Sequence, residues 1–271
     1  MPELPEVETT RRGLSPVVIG KVVRSVIVRV PKLRQTIPAA LPDVLVGQRI
    51  LDVKRRAKYL LFCCTDGTLL LHLGMTGYLW MVFNSAPPGR HDHIELIFDD
   101  GSILRFNDSR RFGTLLWIED DPLEHSLLAH LGPEPLDGAL NGAYLARLAQ
   151  GRKLCVKAFI MDQSVVAGVG NIYASEALFR ARILPQTPAG QLHLTQWQAL
   201  RDAIKTVLAE AIAAGATTLH AFRKTEKPLG YFPMTFKVYG RAGEPCPNCG
   251  RPLLVEKIGQ RSSYYCCRCQ R

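Results

Sequence analysis

The hydrophobic period of the chain changes twice. Between residues 5 and 14 it is helical, with Val7 and Leu14 on a possible buried face and Gly13 near the end. From about residue 21 to 119 it becomes short apolar or alternating runs rich in β-branched and aromatic residues. These are Val22-Val23, Val26-Ile27-Val28, Ile50-Leu51, Tyr59-Leu60-Leu61-Phe62, Leu69-Leu70-Leu71 and Ile94-Glu95-Leu96-Ile97-Phe98. Such runs predict strands. Asp66-Gly67 and Asp100-Gly101 lie between runs and predict hairpin turns. Gly132-Pro133-Glu134-Pro135 is the best candidate for a linker, and beyond it the period is helical again. Asn141 is placed to cap a helix carrying Tyr144, Leu145 and Leu148, and residues 172–182 form a second candidate. A longer helix starts at Thr195, spaces Trp197, Leu200, Ile204, Leu208 and Ile212 by three or four, and meets Gly215 as its stop. The pattern predicts a short helix, an antiparallel sandwich or barrel, a helical region and a cysteine-rich tail. It contains no internal repeat.

Composition narrows the class. The 271 residues suffice for two domains, and 47% hydrophobic residues fit a globular protein with a core. No apolar run reaches the roughly 18 residues that would cross a membrane. Residues 2–12 are charged, so no secretory signal is expected there. Lys and Arg number 34 against 24 Asp and Glu, a formal charge of +10. That excess suggests a polyanionic partner, nucleic acid first and an anionic membrane second.

The cysteines change the picture of the tail. Cys246-Pro-Asn-Cys249 and Cys266-Cys-Arg-Cys269 are two Cys-x-x-Cys knuckles, which four thiolates can close around one structural Zn2+. Such a site supplies folding energy that a thirty-residue tail lacks. Cys267 reads as a bystander. Between the knuckles, Lys257 to Tyr265 is expected to form a hairpin presenting Arg261 to a phosphate.

Other stretches carry candidate chemistry. The chain opens Met1-Pro2-Glu3-Leu4-Pro5-Glu6-Val7-Glu8. Pro2 is small enough for Met1 to be trimmed, which leaves a secondary amine whose neutral form is a nucleophile near neutral pH. A plain capped N-terminal helix is the other reading of the same residues. Gly168-Val-Gly170-Asn171 reads as a turn in which both glycines relax the backbone and Asn171 meets a phosphate, or as a simple helix–helix turn. Lys54-Arg55-Arg56-Ala57-Lys58, His72-Leu-Gly-Met75, His91-Asp-His93 and Asn107-Asp-Ser-Arg110-Arg-Phe112-Gly113 combine cations with apolar side chains in loops. Arg can reach base edges and phosphates, and Phe or Met can wedge between bases.

Pro2 to Thr9, Arg56 to Leu60, His72 to Met75, Arg110 to Gly113, Leu131 to Pro135, Gly168 to Tyr173 and the four-cysteine tail together resemble the bacterial formamidopyrimidine-DNA glycosylase family, over the full length and in order. The resemblance implies an α+β multidomain protein. Residues 1–132 would be a catalytic β-sandwich with an N-terminal helix, 133–236 a helix–two-turn–helix domain, and 237–271 a β-hairpin zinc finger. It implies a bifunctional glycosylase and AP lyase that excises oxidised purines from duplex DNA, acting as a bacterial cytoplasmic monomer associated with the nucleoid through DNA. Pro2 would attack C1′, Glu3 would act as acid–base partner, and Glu6 would support the site. Lys58 would serve β-elimination and Arg261 δ-elimination. His72, Met75, His91, Arg110, Phe112, Arg152 or Lys153, and Asn171 would contact DNA. Residues 217–231 would form a loop over the extruded base. Ser109 departs from the Pro usual before the Arg pair, and Cys63, Cys64 and Cys155 are expected to be buried thiols. Two alternatives stand beside this reading: the related endonuclease VIII, which prefers oxidised pyrimidines, and a zinc-ribbon DNA-binding protein without catalysis.

Overall fold

The computed structural model describes residues 2–82, 86–222 and 235–271. The chain divides into two compact units, Met1–Ala129 with Ile212–Phe232 and His130–Ala211 with Pro233–Arg271.

In the first unit, helix α1 spans Leu4–Val18 and buries Leu4, Val7, Leu14 and Val18 completely. It runs four residues past the expected end. Gly13 is buried within it, and Leu14 and Val18 continue the apolar stripe that holds the helix on the core. Strands β1 (Val23–Val28), β6 (Asp92–Phe98), β7 (Ile103–Asn107) and β5 (Tyr78–Val82) form one antiparallel sheet in the order β1-β6-β7-β5. Strands β2 (Ile50–Arg56), β3 (Tyr59–Cys64), β4 (Thr68–His72) and β8 (Thr114–Ile118) form a second in the order β2-β3-β4-β8. Phe62, Leu69, Leu71 and Leu115 of one sheet and Leu79, Ile94, Phe98, Leu104 and Phe106 of the other share a single core, so the fold is a β-sandwich. Asp66-Gly67 and Asp100-Gly101 fall between β3 and β4 and between β6 and β7, as expected. Short helices α2 (Leu41–Leu45) and α3 (Ser126–Ala129) complete the unit.

The second unit is helical. Asn141 caps α4 (Gly142–Ala149) by accepting the Tyr144 N–H at 2.9 Å. Helices α5 (Val156–Met161) and α6 (Asn171–Arg180) follow, with α6 packed on α5. Helix α7 (Leu194–Phe222) buries Trp197, Leu200, Ile204 and Leu208, the predicted stripe. It does not stop at Gly215. A helix-interior glycine costs only about 1 kcal/mol against alanine, and Ala213, Ala214 and Ala216 around it are the strongest helix formers. Residues 132–133 are tied to their own unit: Gly132 N–H donates to the Gln163 carbonyl at 2.8 Å, and the Pro133 carbonyl accepts from Ala167 N–H at 3.1 Å. Strands β9 (Leu254–Ile258) and β10 (Arg261–Tyr265) form the terminal hairpin against α6.

Candidate functional site

The N-terminus of α1 is built for acidic side chains. Glu3 is the N-cap, in extended conformation and fully buried, and Pro5 occupies the first turn. Glu6 reaches back to accept the Glu3 N–H at 2.9 Å, the return arm of a capping box. Pro2 is half-buried, one residue ahead of the buried Glu3 carboxylate. Helix geometry thus fixes the Glu3 and Glu6 side chains at the start of α1, the segment that Pro2 precedes.

Glu8, the third carboxylate of this segment, has a different task. It accepts from Arg11 Nη2 at 2.9 Å, Arg12 Nε at 2.8 Å and Arg55 Nε at 3.2 Å. Burial opposes its ionisation, but the three guanidinium groups overcome it and hold the carboxyl down at about 2. Arg55 also donates to the Ala57 carbonyl at 3.0 Å. Ala57 has φ +52, a left-handed conformation that costs an alanine roughly 1 kcal/mol or more. The two-residue turn Ala57-Lys58 between β2 and β3 therefore holds half-buried Lys58 at a hairpin tip braced from α1.

Three loops carry the expected wedge. His72 ends β4, and its Nδ1 accepts the Gly74 N–H at 3.0 Å. Burial, with Lys58 and Arg34 nearby, depresses its pKa to about 4, so the imidazole is neutral near pH 7. Its ring lies 4.8 Å from that of Tyr59. Met75 is half-buried on the following turn. Gly74 has φ +67, and a Cβ there would lie 2.5 Å from the Phe112 carbonyl carbon, so the turn backs directly onto the Arg110–Phe112 loop. Arg110 and Phe112 are exposed, with the guanidinium 4.7 Å from the ring centroid. His91 is half-buried and precedes β6.

In the second unit, Arg152 and Lys153 are exposed side by side. Gly168 is left-handed at φ +83, as a turn glycine should be, and Gln163 Oε1 accepts its N–H at 2.9 Å. Gly170 is ordinary extended backbone at φ −129, contrary to expectation, because its place is the N-cap of α6. Asn171 opens that helix. Its Nδ2 donates to the Ser262 carbonyl at 3.0 Å, and its Oδ1 accepts from Lys157 Nζ at 2.6 Å. Lys157, which sequence reasoning passed over, is 1% exposed and also donates to Ser263 Oγ at 2.6 Å. The one signal was a cation inside the apolar run Val156-Lys157-Ala-Phe-Ile160. Lys157 and Asn171 thus tie α5 and α6 to the tip end of the hairpin, at Ser262 and Ser263, beside exposed Arg261. Gly259 and Gln260, at φ +54 and +62, make the tight turn just before it.

Behind the hairpin, the sulfurs of Cys246, Cys249, Cys266 and Cys269 all lie within 4.8 Å of one another. Cys246 and Cys269 are 3.8 Å apart, and Cys249 and Cys266 3.5 Å. Four Zn–S bonds of about 2.3 Å in a tetrahedron need sulfurs roughly 3.8 Å apart, so the donor set fits one Zn2+ with no open position. Cys267 is exposed and outside the cluster. The knuckles pack on Phe179, Val238 and Leu253. Of the remaining thiols only Cys64 is buried. Cys63 and Cys155 are half-buried, Cys63 because it lies on the outward side of β3. Within the expected loop 217–231, residues 223–231 lie outside the described residues.

Known proteins share this geometry. Residues 1–115 match the formamidopyrimidine-DNA glycosylase N-terminal domain, residues 131–223 the formamidopyrimidine-DNA glycosylase H2TH domain, and residues 243–271 a zinc finger found in FPG and IleRS. Proteins named formamidopyrimidine-DNA glycosylase from Alkalilimnicola ehrlichii and Geotalea uraniireducens are each 55% identical, with all of both chains covered. Among solved structures, the Lactococcus lactis Fpg in complex with DNA containing an abasic site superposes with TM-score 0.90 at 32% identity, covering 99% of each chain. The MutM (FPG) protein of Thermus thermophilus superposes with TM-score 0.84 at 40% identity, covering 99% of this chain and 98% of that one.

Proposed function

The chain belongs to the formamidopyrimidine-DNA glycosylase family, and from that premise we propose that it excises oxidised purines, 8-oxoguanine and formamidopyrimidines, from duplex DNA and then cuts the strand as an AP lyase. The observation that carries this reading is the placement of Pro2 one residue ahead of Glu3, a fully buried carboxylate at a helix start. The proposal keeps the division into a catalytic domain over 1–132, a helix–two-turn–helix domain over 133–236 and a zinc finger over 237–271.

With Met1 removed, the Pro2 amine attacks C1′ of an extruded nucleoside, the glycosidic bond breaks, and the base departs. The amine and C1′ form an iminium, with Glu3 exchanging protons at the sugar and Glu6 supporting it. The iminium acidifies the C2′ proton. Its loss expels the 3′ phosphate, with Lys58 serving that β-elimination, and Arg261 serves δ-elimination of the 5′ phosphate. The nucleotide must first leave the stack at a cost of a few kcal/mol. Met75, Arg110 and Phe112 fill the gap, while His72, His91, Arg152 or Lys153, and Asn171 hold the backbone. Neutral His72 suits contact without a charge. Bound zinc supplies folding energy to the tail, and Cys246, Cys249, Cys266 and Cys269 would hold it.

Borohydride trapping on an 8-oxoguanine:cytosine duplex tests the reading. We expect a covalent complex mapped to Pro2 by mass spectrometry, lost in Pro2→Gly and in protein tagged ahead of Met1, with duplex binding retained. Full strand cutting by the tagged protein sinks the assignment. Stronger cleavage of thymine glycol than of 8-oxoguanine would assign the substrate class to the pyrimidine enzymes.

A further inference from the structure

Met75, His91 and the Arg110–Phe112 pair stand on three separate loops, yet one residue touches all three. Asp108 is fully buried just after β7. Its Oδ1 accepts the Thr76 hydroxyl at 2.6 Å, on the turn that carries Met75. Its Oδ2 accepts the Gly113 N–H at 2.8 Å, at the end of the Arg110–Phe112 loop. Its own N–H donates to the His91 carbonyl at 3.0 Å. Its carbonyl meets His93 Nε2 at 2.8 Å and the Arg111 N–H at 3.3 Å. Thr76 Oγ1 in turn accepts the Arg110 N–H at 3.1 Å. A hydroxyl has one proton, and this one is given to Asp108, so the direction of the whole chain is fixed.

We infer that Asp108 is the positioning residue that joins these loops into one stiff wedge. The inference rests on the proposed role of Met75, Arg110 and Phe112 in replacing an extruded nucleotide. A wedge that pushes on stacked bases works only if it yields less than they do. Here the restraint is a charge-assisted carboxylate with each oxygen on a different loop, shielded from water. The Asp108 backbone carbonyl also meets the N–H of Arg111, which takes the left-handed φ +54 within the same loop. The loop carries Ser109 where the resembling family usually has Pro, and Asp108 supplies from the side the stiffness that a proline ring would supply along the chain.

An amide at 108 has one acceptor where the carboxylate has two, so Asp108→Asn must weaken one arm. Thr76→Val removes only the hydroxyl bridge and keeps the shape. Each variant is compared with the unaltered protein on an 8-oxoguanine:cytosine duplex and on single-stranded DNA with a preformed abasic site, which needs no wedge. We expect duplex excision to fall about ten- to hundredfold, the worth of one buried charge-assisted hydrogen bond, with abasic cleavage changed less than about threefold. Equal loss on both substrates, in both variants, would mean a general structural role and overturn the inference, as would full activity on both. If the unaltered protein opens neither substrate, the functional reading itself fails and takes the inference with it.

Discussion

Glu8 sits among three guanidinium groups, and its carboxyl is held at about 2 against an ordinary value of 4.5. The folded pKa lies below the unfolded one, so the unfolded chain binds more protons between those values. The stabilisation is complete above about pH 4.5 and is lost as pH falls toward 2. The gap corresponds to at most roughly 3 kcal/mol, and solvent screening at Arg12, the exposed one of the three guanidinium groups, reduces it. Glu8→Gln is therefore expected to lose about 2 kcal/mol at pH 7 in urea melts, and to show a shallower acid limb than the unaltered protein. Equal limbs would mean that Glu8 contributes no such linkage. His72 acts in the same direction over a higher window: its pKa of about 4 lies below the ordinary 6.5, so acidification through that range favours the unfolded chain. The resemblance attached roles to Glu3 and Glu6 but none to Glu8; its helical partners Arg11 and Arg12 are local, but the third, Arg55, lies 47 residues away, a pairing no local pattern discloses.

At the scale of elements, what could be read was what repeats locally. The apolar runs of β1, β3, β4 and β6, the Asp-Gly turns, the Asn141 cap and the stripe of α7 all follow from period and turn chemistry. Strand β7 did not, because Arg105 breaks its apolar run. That arginine is 1% exposed and lies opposite Glu95 of β6, to which its Nε donates at 2.6 Å. A buried ion pair across a sheet depends on register, which no single run discloses. Lys157 was missed for the same reason, since its partners on the hairpin lie about a hundred residues away. The four-cysteine knuckles were legible because metal geometry forces their spacing. Cys249→Ser is expected to lose zinc, release the β9–β10 hairpin and lower DNA affinity together. Unchanged zinc content by atomic emission would show that another sulfur completes the set.

For the molecule as a whole, the +10 formal charge predicts DNA binding that weakens steeply with salt. Arg152→Gln, at an exposed cation far along the chain from the wedge loops, should weaken binding evenly across sequences and lower the log–log salt slope by about 1. An unchanged slope would place the phosphate contact on Lys153. The brace between Glu8 and Arg55 spans 47 residues of chain. At translation rates of roughly 5–20 residues per second, α1 emerges from the ribosome about two to ten seconds before that partner is made. Alone it is a 15-residue helix, at the margin of what persists in water, held by neighbouring Arg11 and Arg12. If Pro2 is the nucleophile proposed above, the nascent N-terminus thus stays open to the aminopeptidase that would remove Met1, and the amine is unmasked before any fold closes around it.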